Sequence, residues 1–101
     1  MSIDKQINEN KLTVQVEGKL DANTSNNFLE DVSSSLDNIK DLVIGFDSLD
    51  YISSAGLRSI LSLVKVMNDK GSIKLINVSQ KIMSIFEVTG FVDILDIECK
   101  W

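Results

Sequence analysis

The stretch LDYISSAGLRSILSLVKVM, residues 49–67, passes from a strand-like run into a helix-like one, with two serines at the junction. From Leu57 onward, Leu57, Ile60, Leu61, Val64 and Met67 recur at helical spacing, with Leu63 at the edge of the stripe. Arg58, Ser62, Lys65 and Asp69 share the opposite face. This pattern predicts an amphipathic helix laid on a sheet, stopped by Asp69-Lys70-Gly71 with Gly71 as the first residue past the cap. Serine at a helix start accepts a hydrogen bond from an otherwise unpaired backbone N–H. A hydroxyl in the same place can instead receive a phosphate. Gly56 costs up to about 1 kcal/mol against alanine in a helix, so its presence implies either close packing or room for a partner to approach.

Working upstream, LVIGF at 42–46 is a continuous apolar run, expected as a strand in the middle of the sheet. Before it, Phe28, Leu29, Val32, Leu36 and Ile39 recur at helical spacing, with Thr24 or Ser25 as the expected N-cap. Ser33, Ser34 and Ser35 fall inside that pattern and read as surface filler. Leu12, Val14 and Val16 alternate with Thr13, Gln15 and Glu17, the signature of a half-buried strand. Gly18 is expected to end it, and Ile3 to Ile7 to pair with it across the turn-prone NENK.

Downstream, SIKLIN reads as a strand. Ser79 is expected to cap a third helix, with Ile82, Ile85 and Phe86 as its buried stripe, a staple between Val78 and Met83, and Gly90 as its end. FVDILDIEC is compatible with a short helix, a strand, or one followed by the other. Two strands followed by αβαβα predict an α/β (α+β-like) fold: a mixed four- to five-stranded sheet with helices mainly on one face. Residues 1–101 read as a single domain, without proline, repeat or linker.

Composition narrows the function. Hydrophobic residues make up 44% of the 101-residue chain and charged residues 25%, enough for a core without metal or disulfide help. The one cysteine, Cys99, fits a reducing compartment. The N-terminal MSIDKQINEN lacks a secretory pattern, and no apolar run reaches bilayer length, so a cytoplasmic protein without membrane insertion is expected. A net charge of −5 argues against direct nucleic-acid binding and for a protein partner. With no histidine, neither a Ser-His-Asp system nor a Cys/His zinc site can be built, and there is no phosphate-binding glycine loop. The chain therefore reads as a binding protein, with no cofactor and no catalytic residue of its own. Nothing in it demands a dimer, and Val66 and Trp101 are expected at the surface as scattered apolar residues.

DSLDYISSAGLRSIL resembles the signature of the STAS domains, specifically the bacterial anti-sigma-factor antagonists. EGKLDANTS is similar to that family's Gly-x-Leu-Asp segment, and GSIKLINVSQKIMSIFEVTGF to its closing strand, helix and Gly-hydrophobic turn. The likeness spans nearly the whole chain in order. It implies the STAS fold and a regulatory role. The unphosphorylated antagonist captures an anti-sigma factor that is also a serine kinase of the GHKL type, freeing a sigma factor. Phosphorylation disables the antagonist, and a PP2C-type phosphatase resets it. The family's acceptor hydroxyl lies two residues before the glycine of Gly-Leu, which is Ser54 here. Ser53 stands where aspartate is common, and Ala55 where serine or threonine is common, so Ser53 is an alternative acceptor. The resemblance places the partner surface at Asp21, Asn23, Thr24, Ser53, Ser54, Gly56, Leu57 and Arg58. Asp21 reads equally well as a turn carboxylate, Leu57 as partly core, Arg58 as a solvated cation, and Asp47 and Asp50 as loop carboxylates. Two other roles fit a STAS-like chain: a non-switching subunit of a lipid-trafficking ABC transport complex, and a nucleotide- or small-molecule-binding domain, the latter disfavoured by the missing phosphate loop.

Overall fold

A computed structural model describes residues 1–100. Its elements run β1 (Ser2–Asn8), β2 (Lys11–Leu20), α1 (Ser25–Ser33), β3 (Asp41–Ile52), α2 (Ser54–Asn68), β4 (Ser72–Val78), α3 (Gln80–Thr89), a 3₁₀ turn (Phe91–Asp93) and β5 (Ile97–Cys99). The ambiguous C-terminal segment is thus a short helical turn followed by a strand. The strands form one sheet in the order β1-β2-β3-β4-β5. β1 is antiparallel to β2, and every other pair is parallel.

Strand order equals chain order, so each right-handed crossover returns its helix to the same side of the sheet. The pairing register confirms this. Val14, Ile44 and Leu75 lie in one cross-strand row and are buried. The adjacent row is Thr13, Val43 and Lys74, none of them buried. Phe28 and Val32 of α1, Ile60, Leu63 and Met67 of α2, and Ile82 and Phe86 of α3 close the core over the first row. The ring of Phe86 packs against that of Phe46 at a centroid separation of 6.3 Å, tying α3 to the central strand.

Several expectations need correction. β3 does not stop at Phe46; it continues through the polar DSLDYI to Ile52, because β2 also continues and supplies ladder partners as far as Leu20↔Ile52. Gly18 does not end β2. It adopts φ +99° inside the strand, beside a register shift, so it kinks the ladder and lets it go on. α1 ends at Ser33, and Leu36 and Ile39 reach the core from the turns that follow it. Ser35 is therefore outside the helix, and its hydroxyl accepts a hydrogen bond from the Lys5 amine at 2.8 Å; the same amine pairs with Asp31 at 2.5 Å. In α2 the buried residue is Leu63, with Leu61 half-buried, the reverse of the expected ranking.

Gly71 is two residues beyond the α2 cap, Asp69, and its φ is not positive. Glycine is required there for a different reason: a Cβ would run into the Lys40 carbonyl. That carbonyl accepts from the Ser72 N–H at 2.8 Å, the Lys40 N–H donates to Asn10 at 2.7 Å, and the Lys70 amine donates to the Leu36 carbonyl. The starts of β2, β3 and β4 are clasped together by these bonds. α3 begins and ends as expected: Ser79 accepts from the Ile82 N–H, and Gly90 takes the left-handed cap at φ +80°. Val66 is exposed; Trp101 lies outside the described residues.

Candidate functional site

The ends of β2 and β3 lie side by side, with Lys19 opposite Tyr51 and Leu20 opposite Ile52. The loop leaving β2 and the start of α2 are therefore neighbours, and the Ser53 N–H donates to the Leu20 carbonyl at 2.9 Å. One end of the parallel strands thus gathers most of the residues singled out in the sequence.

The two serines divide the work between them. Ser53 is the N-cap residue, with extended backbone, and its hydroxyl accepts from the Gly56 N–H at 3.3 Å. Ser54 is the first helical residue and is exposed. Among the described residues its hydroxyl makes no hydrogen bond, so it is free for chemistry. Capping fixes the helix start through one serine and leaves the next presented to solvent, at the positive end of a 15-residue helix.

Gly56 is buried. A Cβ there would meet the Leu20 carbonyl oxygen at 2.5 Å and Ile52 Cγ1 at 2.8 Å. Close packing, rather than room for a partner, is what this glycine provides. Leu57 is only 5% exposed and belongs to the core, whereas Arg58 is exposed one turn after Ser54 on the same side of the helix.

The β2–α1 loop is internally bonded. The Asp21 carboxylate accepts from the Asn23 N–H at 2.9 Å. The Thr24 hydroxyl accepts from the Asp21 N–H at 2.9 Å and donates to the Lys19 carbonyl at 2.8 Å. Asp21 is thus a turn carboxylate in this conformation, and Asn23 carries the exposed edge of the loop. Thr24 stands at the N-cap position of α1, but its side chain makes no cap bond because it is engaged backward. Asp47 is held by the Asn77 side chain at 2.9 Å.

Between α1 and α2 runs a groove of about 460 Å³, walled by Ser25, Asn26 and Leu29 on one side and Ala55, Arg58 and Ser62 on the other. The sequence reading missed the α1 wall. The signal was present in α2: Ala55, Arg58, Ser59 and Ser62 recur at i, i+3, i+4 and i+7, a small and polar stripe facing a neighbouring helix rather than open water. Among the described residues no cluster of carboxylates and cysteine could hold a metal ion. Nor is any helix among the described residues long and apolar enough to cross a membrane.

The STAS domain family model matches residues 2–100. The chain belongs to the STAS domain family. Its curated relatives include the anti-sigma-B factor antagonist of Bacillus subtilis, 30% identical over 101 residues, which cover 99% of this chain and 93% of that one. Among solved structures, an anti-sigma factor antagonist from Mycobacterium paratuberculosis superposes with a TM-score of 0.86 over 96% of this chain and 84% of its own, at 14% identity. The Bacillus cell fate determinant SpoIIAA in its phosphorylated form gives 0.74 over 95% and 90%, at 15% identity. These likenesses establish the STAS fold: a five-stranded mixed sheet with three helices.

Proposed function

We propose that this STAS domain is an anti-sigma-factor antagonist switched by phosphorylation of Ser54. In the unphosphorylated state it captures an anti-sigma factor that is also a GHKL-type serine kinase, and so releases a sigma factor. Transfer of the γ-phosphoryl group of ATP to the Ser54 hydroxyl ends the capture, and a PP2C-type phosphatase restores it. The carrying observation is the division of labour at the helix start: Ser53 is occupied as the cap, while Ser54 is exposed and unbonded. The relationship to the Bacillus subtilis antagonist supports the same reading.

The physics of the switch is local. A phosphoserine carries about −1.5 to −2 charges at neutral pH. The first amides of α2 and the helix dipole tolerate that anion, so the domain stays folded. Against a partner it must be desolvated or met by a cation. A loss of about 2 to 4 kcal/mol weakens association about 30- to 1,000-fold, enough to switch binding without refolding. Nucleotide, magnesium and the phosphoryl-transfer groups belong to the kinase.

The test is intact-protein mass spectrometry after incubation with the serine kinase encoded in the same genome and Mg-ATP. A single phosphate gained by the wild type and by Ser53→Ala, and lost in Ser54→Ala, is the expected result. Loss in Ser53→Ala alone moves the acceptor by one residue. An active kinase that binds the protein but leaves it unmodified refutes the switch.

A further inference from the structure

The groove between α1 and α2 carries charge of the opposite sign to the molecule as a whole. The chain has 15 acidic residues against 10 basic ones. Yet no carboxylate lines the groove, and its one charged group is Arg58. The ion pairs among the described residues are Lys5–Asp31 and Lys74–Glu98, so Arg58 is unpaired. A second cavity, between β1 and α1, contrasts with it in being lined by Glu30 and Asp31.

A second observation points into the same groove. Ser25 is only 5% exposed, and among the described residues its hydroxyl has no hydrogen-bond partner. It is not sealed off from solvent either, since among the described residues no side-chain polar atom is both fully buried and unbonded. Its remaining exposure is on the groove wall. The hydroxyl thus reaches the groove without a protein partner, where water or a ligand group can meet it. The Ser59 hydroxyl, by contrast, donates to the Gly56 carbonyl at 2.7 Å, and that of Ser62 to the Arg58 carbonyl at 3.1 Å. The groove therefore offers the Arg58 fork, the free Ser25 hydroxyl and the Asn26 amide as donors.

We infer that this groove receives an aspartate or glutamate side chain of the protein partner, with Arg58 as its ion-pair anchor and Ser25 as a second donor. The inference rests on the antagonist reading above and names the chemistry by which the partner is held. Guanidinium and carboxylate pair through two parallel N–H···O bonds, which fix orientation as well as supplying attraction. The net charge of −5 disfavours acidic partners on average, so a groove whose one charged group is a cation gives register to the docking of a carboxylate.

Binding of the anti-sigma factor encoded in the same genome is measured by calorimetry for wild type, Arg58→Ala, Arg58→Lys, Arg58→Glu and Lys65→Glu. Lys65 is exposed on the same helix and does not line the groove, so Lys65→Glu makes the same net-charge change as Arg58→Glu at a different place. Arg58→Ala is expected to weaken binding about 30-fold or more, Arg58→Glu further, and Arg58→Lys to recover part of the loss. Lys65→Glu is expected to change affinity less than about threefold. Charge reversal of the matching acidic residue in the partner is expected to restore binding to Arg58→Glu. Equal effects of Arg58→Glu and Lys65→Glu, or an unchanged affinity in Arg58→Ala, overturn the inference while leaving the antagonist reading intact. A wild-type protein that binds no anti-sigma factor removes both. Self-association abolished by Arg58→Glu would mean that a second copy of this chain occupies the groove, and would overturn the inference too.

Discussion

Replacing Gly56 by alanine sets two effects of known size against each other. Alanine is the better helix former by up to about 1 kcal/mol, so propensity alone predicts a stabilised α2. The new methyl group would stand 2.5 Å from the Leu20 carbonyl oxygen, well inside van der Waals contact, and 2.8 Å from Ile52 Cγ1. The carbonyl is backbone in a paired strand and cannot swing aside. It is also the acceptor for the Ser53 N–H, so any retreat stretches the bond that joins the β2 end to the α2 start. Overpacking of this kind costs about 1–3 kcal/mol, and weakening a backbone hydrogen bond about 1 kcal/mol more. Less the propensity gain, the net is a loss of about 1–3 kcal/mol. For a domain of this size each 1 kcal/mol lowers Tm by about 4–8 °C. Urea denaturation, followed by circular dichroism, measures it directly. A Gly56→Ala protein as stable as the wild type, or more so, would refute the packing assignment and reopen the possibility that glycine is there for a partner.

Gly45→Ala is the matched control: the nearest atoms to the added methyl group belong to the Gln15 side-chain amide, a flexible end on the uncovered face, so stability is expected to change by less than about 0.5 kcal/mol in the same assay. The two serines are expected to separate by stability as well as by phosphorylation. Ser53→Ala loses the cap bond and about 1 kcal/mol, whereas Ser54→Ala costs under about 0.5 kcal/mol; equal losses would contradict the division of roles. Phe86→Ala removes a fully buried ring packed on Phe46 and is expected to cost about 3–5 kcal/mol by chemical denaturation.

Elements whose evidence is local were readable in the chain. Ser79 and Gly90 bracket α3 as their residue types dictate, and the alternation of β2 and the apolar run in β3 gave the sheet its middle. What the chain concealed depends on neighbours. DSLDYI is too polar to look like a strand and becomes one because β2 lends it a ladder. Gly18 looks like a stop, and the pairing on either side of it makes it a kink. Leu36 and Ile39 keep helical spacing although the helix has ended, because turns can also place side chains in a core. At the candidate site, the motif pointed to Ser54 as the expected acceptor but could not show that its hydroxyl is unbonded, since which serine caps is decided by backbone geometry. The groove was hidden for the same reason: half of it belongs to α1, some thirty residues earlier.

The clasp at the starts of β2, β3 and β4 lies at the opposite end of the strands from the two serines. Asn10, Lys40 and Gly71 hold the strand starts together there, about one strand length from the loops at Asp21–Thr24 and Ser53–Ser54. The clasp bonds are thus separate in sequence and in space from the residues of the proposed site. On the proposed reading, a duplicated copy of this domain could change its partner through exposed positions such as Asn23, Ser54 and Arg58 without disturbing the clasp that aligns its strands.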